Sequence, residues 1–262
     1  MENKRKLDKK RIIIAALIVI FAGVFIFAGI KLITIMSGYG AADKEYNSIA
    51  GQIFEPETDA NGGVIKDSFV WNYNKLVDIN PDAVGYLRQK GELKNRVDYP
   101  VVQGSDNSYY LKHLINGEYN DSGTLFVDYR IDEGMNAQNC IIYGHNMNNE
   151  AMFGCLSDYE KENFFKAHPS FDVYIGEDHY LYNVFACGNV TTYGFAYTYD
   201  FTYTDFMDFI RQALELQTYY TGYTIDDFDY DSKIITLSTC LDEYQSTERF
   251  VVFLVRDRKL NN

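Results

Sequence analysis

The residues best suited to catalysis are a cysteine at the end of one apolar run and an arginine at the start of the next. Cys240 ends the run Lys233-Ile-Ile-Thr-Leu-Ser-Thr-Cys240, whose alternating side chains predict a strand. Arg249 begins Arg249-Phe-Val-Val-Phe-Leu-Val-Arg256, a Val- and Phe-rich run that predicts a second buried strand. The residues between the two runs are polar and predict a loop. We therefore expect a thiol and a guanidinium at the same end of adjacent strands.

This pair of side chains is typical of nucleophilic catalysis. A free cysteine has a pKa of about 8.5, so it needs a base or a positive environment to act as a nucleophile at neutral pH. Arg249 would supply a permanent charge. Its planar fork could also hold a peptide carbonyl, or stabilise the oxyanion that forms when sulfur attacks one.

The base is sought among four histidines. His145 follows the apolar run of Asn139-Cys-Ile-Ile-Tyr-Gly-His145, where Gly144 permits a sharp turn at the strand end. Spacing alone leaves His145 equally compatible with a catalytic base and a structural histidine. The surroundings of the other three favour structural or exposed roles; they are His113, His168 and His179.

The N-terminus has the pattern of a membrane anchor. Six basic residues precede an uncharged apolar run from Ile12 to Ile30. This run is long enough to cross a bilayer and too long for the apolar region of a cleaved signal peptide. The basic flank predicts a single span with a cytoplasmic N-terminus, and places everything after about Gly38 outside the cell.

The charge balance excludes one class of partner. The formal net charge is −13 at pH 7, and the part beyond the anchor is more acidic still, because many of the basic residues precede it. Nucleic acid is therefore not expected as a partner. An acidic, solvated surface is the simplest interpretation, and attraction of a cationic amine substrate is the alternative.

We expect four segments: a basic tail (1–11), a transmembrane anchor (12–36), a linker with N-terminal helices (37–80) and a catalytic β-domain (81–262). Helical spacing links Tyr46 to Ile53, and also Phe69 to Val77 behind a cap at Asp67 or Ser68. Eight short strands favour a closed barrel or a sandwich. They are predicted at 84–88, 97–103, 124–128, 140–143, 172–176, 180–190, 233–239 and 249–256.

Two helices interrupt the strands. Ser157-Asp-Tyr-Glu160 is a capping-box pattern that predicts a short helix ending before Pro169. An apolar stripe from Phe206 to Leu214 predicts a helix over about 205–217, with Thr204 as its cap. The stripe is typical of core packing.

The remaining cysteines predict buried thiols. Their surroundings are apolar and their spacing does not match a metal site, so no metal or other cofactor is expected. An outside location permits a disulfide, but the sequence identifies no pair. They are Cys140, Cys155 and Cys187.

Together, Thr236-Leu-Ser-Thr-Cys240, the following Arg249 and the upstream Tyr143-Gly-His145 resemble the signature of the sortases. The anchor, the helical segment before the strands and the inserted helix resemble class B sortases in particular, over roughly residues 12 to 256. The resemblance implies a mainly β fold: a closed eight-stranded barrel with N-terminal helices and one long helix between strands 6 and 7.

Sortases are membrane-bound cysteine transpeptidases of Gram-positive bacteria. The resemblance implies that Cys240 attacks the carbonyl of a threonine in a C-terminal sorting motif and forms a thioester. An amine of a peptidoglycan precursor then takes the acyl group, with His145 as general acid and base and Arg249 holding the carbonyl or oxyanion. The implied partners are surface proteins that carry the motif, often of the Asn-Pro-x-Thr-Asn type.

Further positions carry over from the family. Asn107 and Leu111 fit the spacing of two residues that line its substrate groove, and Tyr143 and Ser238 adjoin the catalytic residues as candidate substrate contacts. Asp242 matches a proposed third, acidic member of the site. Some relatives have an acidic residue where this chain has Leu241, which leaves the substrate preference open.

Three alternatives remain. A pilin lysine as acceptor would make the chain a pilus polymerase, and water as acceptor would make it a protease. A membrane-tethered binding module without catalysis is the alternative from another class, although the presence of Cys, His and Arg together favours an enzyme. The C-terminal Lys259-Leu-Asn-Asn262 has no sorting motif, so the chain is not expected to be a sorted substrate.

Overall fold

The computed structural model describes residues 9–59, 61–91, 97–240 and 247–260, without the side chains at positions 9, 66–68 and 240. Helix α1 (Lys9–Ile53) runs unbroken through and beyond the predicted anchor. The apolar side chains between Ile12 and Met36 are exposed. Within the described part of the chain, α1 is the one helix whose length and composition would allow it to cross a membrane.

The last turns of α1 pack on the β-domain. Tyr46, Ile49 and Ile53 are buried, as their helical spacing predicts. The Tyr46 hydroxyl lies 3.0 Å from Thr124 Oγ1, and its ring meets that of Tyr99 edge to face. These contacts seat the end of α1 beside the start of a barrel strand.

A hairpin follows α1 where the sequence predicted only a linker and a helix. Strands β1 (Phe54–Thr58) and β2 (Val64–Trp71) pair antiparallel, with Phe54 opposite Trp71. The predicted caps Asp67 and Ser68 therefore lie within β2. The β-branched and aromatic residues of this stretch favour a strand when a partner strand is present, and this pairing overrode the helical spacing.

Helix α2 (Tyr73–Ile79) is capped by Asn72, whose side chain accepts a hydrogen bond from the Lys75 N–H at 3.1 Å. The cap sits directly after the hairpin. It sets the start of the helix later than the sequence indicated.

All eight strands predicted beyond residue 80 are present, and they form a closed barrel. The strands are β3 (Ala83–Gln89), β4 (Asp98–Val102), β5 (Leu125–Val127), β6 (Asn139–His145), β7 (Ser170–Ile175), β8 (Asp178–Thr191), β9 (Ile234–Cys240) and β10 (Glu248–Leu260). Their order around the barrel is β10-β8-β7-β3-β4-β5-β6-β9. Neighbours pair antiparallel except β4 with β5 and β6 with β9, which are parallel.

Two further helices interrupt the barrel. A 3₁₀ turn (Leu156–Glu160) and the short helix α3 (Glu162–Ala167) end before Pro169, as predicted. The capping-box pattern at Ser157 falls inside the 3₁₀ turn, which begins one residue earlier.

Helix α4 (Tyr203–Glu215) lies between the sixth and seventh barrel strands, as expected. Thr202, not Thr204, is its cap, because the Thr202 hydroxyl accepts from the Asp205 N–H. Its apolar stripe joins a core cluster with β8 and β10, in which Phe209 meets Phe253 edge to face. The helix thereby covers the outside of these strands.

Gly144 is required by close packing at the end of β6. A Cβ at this position would lie 2.4 Å from Leu125 Cδ2 and 2.7 Å from Phe153 Cδ2. The Phe153 N–H donates to the His145 carbonyl at 2.9 Å, so the chain folds back over this glycine. Gly144 thus allows His145 to sit tightly against the barrel.

Gly144→Ala should destabilise the protein by about 1–3 kcal/mol, because the added methyl group overpacks a site bounded by two rigid side chains. Thermal and denaturant unfolding of the full chain in detergent would measure the loss. Gly51→Ala is the control, since nothing lies within 4 Å of the added Cβ and alanine suits an exposed helix. Equal stability of the two variants would contradict this account of Gly144.

Candidate active site

The parallel pairing of β6 with β9 brings two predicted site residues together. The register runs from Asn139 opposite Ile234 to His145 opposite Cys240. Both strands therefore end at the same edge of the barrel, with the backbones of His145 and Cys240 side by side. The Cys240 side chain and all of Asp242 lie outside the described residues.

Arg249 enters the same edge from β10. The last recorded pair between β9 and β10 is Ser238 with Val251, and Cys240 and Arg249 each lie two residues further along in the direction of this edge. The Thr239 hydroxyl bridges the strands, accepting from the Phe250 N–H at 3.1 Å and donating to the Phe250 carbonyl at 3.2 Å. The start of β10 is thereby held against the end of β9.

The His145 ring has one nitrogen committed to the backbone. Its Nε2 lies 2.7 Å from the carbonyl oxygen of Leu111, which can only accept, so Nε2 carries the hydrogen. In the neutral ring Nδ1 then holds the lone pair that can take up a proton. Leu111, expected on the substrate groove, thus contacts His145 through its backbone.

The other three histidines make structural contacts. His113 stacks on Tyr109 with ring centroids 4.0 Å apart. His168 is buried, with Nδ1 3.0 Å from the Lys90 carbonyl. His179 Nε2 lies 3.1 Å from an Asp172 carboxylate oxygen.

Cys140, Cys155 and Cys187 are buried free thiols, as expected from their apolar surroundings. Burial raises the pKa of Cys155 to about 12 and that of Cys187 to about 11. These thiols stay protonated at neutral pH and are poor nucleophiles. Within the described residues, no group of three or more His, Cys, Asp or Glu side chains is arranged to hold a metal ion.

A pocket of about 430 Å³ opens at this edge of the barrel. Tyr143, a candidate substrate contact, lies in its wall and stacks on Tyr197 with ring centroids 6.2 Å apart. Ser238 is buried, with Oγ 2.9 Å from the Tyr197 hydroxyl, and so supports that wall. The lining residues are Arg130, Tyr143, Thr192, Tyr193, Gly194, Tyr197, Thr198 and Arg249.

A buried carboxylate joins several of these residues. Asp128 accepts from the Arg130 guanidinium through Nε at 2.9 Å and Nη2 at 2.7 Å. It also accepts from the Tyr143 hydroxyl at 3.0 Å. Asn107 contributes a further side-chain hydrogen bond, and its own Oδ1 accepts from the Tyr129 N–H at 3.0 Å. Asn107, expected on the groove, is therefore part of this cluster.

Two ionisation equilibria follow from this arrangement. Burial by itself would raise the pKa of Asp128, but hydrogen bonds from Arg130, Tyr143 and Asn107 outweigh it, so the pKa lies below the ordinary 3.8. Burial raises the pKa of Tyr143, and the adjacent Asp128 charge raises it further. At neutral pH Asp128 is therefore ionised and Tyr143 remains a hydrogen-bond donor.

The sequence analysis did not identify Asp128 and Arg130. A signal was present, because Asp128 directly follows the short apolar strand β5 and Arg130 comes two residues later. Polar residues at strand ends are frequent in functional sites, but the sequence did not show that this strand end meets that of β6.

Asp128→Asn should lower the free energy of unfolding at neutral pH by about 2 kcal/mol, since it weakens charge-assisted hydrogen bonds. A lowered pKa stabilises the fold above the unfolded value of 3.8, and this contribution is lost as pH falls through the folded pKa. The difference between wild type and variant should therefore narrow below about pH 4. Thermal unfolding across a pH series would measure it.

Asp208→Asn is the matched control, because Asp208 pairs with Arg211 on the exposed face of α4. Its loss should cost less than about 0.5 kcal/mol. A difference in the free energy of unfolding between wild type and Asp128→Asn that does not change with pH would contradict the role of the ionised carboxylate.

Comparison with known proteins agrees with this geometry. The model of the sortase-domain family matches residues 93–257. Sortase B of Listeria monocytogenes is 34% identical over 191 residues, which cover 70% of this chain and 75% of that protein.

Solved structures give the same result. Sortase B from Bacillus anthracis in complex with AAEK1 matches with a TM-score of 0.69 and 27% identity, covering 85% of this chain and 99% of that one. The Staphylococcus aureus sortase B–substrate complex matches with a TM-score of 0.64 and 28% identity, covering 71% and 84%. The resemblance noted in the sequence is confirmed: the chain belongs to the sortase family of transpeptidases and, within it, to class B.

Proposed function

We propose that this chain cleaves a C-terminal sorting motif after its threonine, through a thioester on Cys240, and transfers the protein to an amine of a cell-wall precursor. The observation that carries the proposal is the paired position of His145 and Cys240 at the ends of parallel strands. Arg249 at the start of the adjoining strand supports it. The Staphylococcus aureus relative has been solved with its substrate.

In the first half-reaction, the Cys240 thiol gives its proton to His145, and the sulfur forms a bond to the threonine carbonyl carbon. Arg249 stabilises the negative charge on the carbonyl oxygen. The carbon–nitrogen bond then breaks, and His145 gives a proton to the departing amine. The product is a thioester that holds the substrate protein on the enzyme.

In the second half-reaction, an acceptor amine attacks the thioester carbon and His145 takes up its proton. The carbon–sulfur bond breaks and the Cys240 thiolate leaves. The Leu111 carbonyl supports this role of His145, because it holds the hydrogen on Nε2 and leaves Nδ1 to exchange the proton. Asp242 stays a candidate third member of the site.

The sorting motif is proposed to lie in the pocket between Tyr143 and Arg249. Tyr143 would contact it directly. Asn107 and Ser238 would shape the wall from behind, through Asp128 and Tyr197 respectively. A motif of the Asn-Pro-x-Thr-Asn type on secreted surface proteins is the first candidate, following the family resemblance.

Cys240→Ala should abolish the acyl adduct, because no sulfur is left to form the thioester. Arg249→Lys should slow its formation at least tenfold, because an ammonium cannot copy the planar fork. His145→Ala should lose turnover while Cys240 still reacts with a small alkylating reagent. The measurement is the intact mass of the full chain in detergent, after incubation with a panel of sorting-motif peptides.

Hydroxylamine or a cross-bridge amine should discharge the adduct, and the identity of the amine that does so separates a wall acceptor from a pilin lysine. Arg258→Gln is the control for the arginine variant, because Arg258 lies at the other end of β10. An adduct on the Cys240→Ala variant, or near-normal rates for Arg249→Lys, would overturn the assignment.

The apolar part of α1 is proposed to be a single membrane anchor with the β-domain outside the cell. The basic residues before Ile12 support this orientation. Protease added to intact cells should digest the β-domain and leave an N-terminal tag protected. Protection of the β-domain under these conditions would reverse the proposed topology.

A further inference from the structure

Arg130 is held in place by a carboxylate that water does not reach. Asp128 is fully buried, and it binds Arg130 through both Nε and Nη2. The Arg130 backbone N–H also donates to Asp128 at 3.1 Å. Three hydrogen bonds to one carboxylate leave the guanidinium little freedom, so its direction is set before any ligand arrives.

The outer edge of the same guanidinium faces the pocket. The Arg130 side chain is 42% exposed and lines the cavity together with Arg249. Its Nη1 group makes no hydrogen bond with the described residues. The ring of Tyr199 lies 5.0 Å from the guanidinium carbon and supports one face of it. Arg130 therefore presents unused donors to the cavity in a fixed orientation.

Two guanidinium groups line this cavity, those of Arg130 and Arg249. Asp128 occupies the Nε and Nη2 edge of Arg130, so the Nη1 edge is the part of this guanidinium that can meet a ligand. An amine alone would gain nothing from such a cavity. A carboxylate could accept hydrogen bonds from the donors at this edge of Arg130.

We propose that Arg130 is a specificity-determining residue that binds a carboxylate group of one of the two substrates in this cavity. The inference rests on the proposed function and adds a substrate class to it. The carboxylate has two sources: an acidic residue in the sorting peptide, or a carboxyl group on the acceptor amine. Both present the same planar pair of oxygens to the Nη1 edge of Arg130.

The test uses the full chain in detergent and compares substrates that differ only in a carboxylate. One arm offers lysine and lysine amide as acceptors. The other arm offers sorting peptides with Glu or Gln at one position. In each arm, the preference is the kcat/KM value for the carboxylate substrate divided by that for its neutral analogue. In the arm whose carboxylate binds Arg130, the Arg130→Gln variant should show a preference at least tenfold smaller than that of wild type. Intrinsic amine reactivity cancels when the two enzymes are compared.

The arm that responds identifies the source of the carboxylate. If neither ratio changes while the acyl adduct still forms, the proposal is overturned. Arg258→Gln should leave both ratios unchanged, because Arg258 also pairs with an aspartate but at the far end of β10.

Arg130→Gln leaves Asp128 buried without its partner, which threatens folding. Two further variants address this. The double variant Asp128→Asn with Arg130→Gln removes both charges and should show the same loss of preference. Arg130→Lys keeps the positive charge without the planar fork, so it should lose part of the preference for the carboxylate substrate. A preference retained by both would overturn the proposal.

A binding measurement separates this inference from the proposed function. Saturation-transfer NMR of the Cys240→Ala chain would compare lysine with lysine amide, and acetyl-glutamate with acetyl-glutamine. In at least one pair the carboxylate ligand should give the stronger signal, and Arg130→Gln should reduce that signal severalfold. If no peptide acylates the wild-type enzyme, the proposed function fails. The NMR comparison still decides whether Arg130 binds a carboxylate, because it does not depend on acylation. Equal signals within both pairs would overturn it.

Discussion

The parallel pairing of β6 with β9 is the interaction on which the site depends. The catalytic candidates lie far apart in the chain, and only this ladder of backbone hydrogen bonds brings His145 level with Cys240. A shift of the register by one residue would move one of the two side chains to the other face of the sheet. The close packing of Gly144 against Leu125 and Phe153 acts at the end of the same strand.

A second constraint lies beneath the pocket. Asp128 is a fully buried carboxylate, and such a group is tolerated only when its hydrogen bonds are satisfied. Its partners come from three places: Asn107 from the loop before β5, Arg130 from the turn after β5, and Tyr143 from β6. One charge thereby holds three segments in a common arrangement, and this gives the cavity its shape and its fixed guanidinium.

Charge is distributed unevenly in this sortase. The formal net charge is −13, while two guanidinium groups line the cavity at the candidate active site. Local charge acts most strongly where water is partly excluded, so the cavity and the outer surface attract different groups. An acidic surface can draw in amines, whereas the proposed role of Arg130 is to bind a carboxylate group in the cavity.

The sequence by itself determined the kind of chemistry and most of the elements. Short runs of Val, Ile, Tyr and Phe between turn residues located all eight barrel strands, because such runs are a local property of the chain. The apolar stripe that predicted α4 and the apolar run that lies in α1 can likewise be recognised from neighbouring residues alone. The Cys240, His145 and Arg249 signature led to the family, which the comparisons confirmed.

Only the tertiary structure decided which elements become neighbours. The β1–β2 hairpin takes up the start of a predicted helix, because Phe54 and Trp71 pair across two strands in a way that local spacing does not reveal. Ser238 lies behind Tyr197, and Leu111 reaches His145 through its carbonyl, because backbone and buried contacts depend on the path of the whole chain. Asp128 and Arg130 were identified only from the tertiary structure. The environment of an ion pair with a buried carboxylate depends on the elements packed around it, and the neighbouring residues in the sequence do not reveal it.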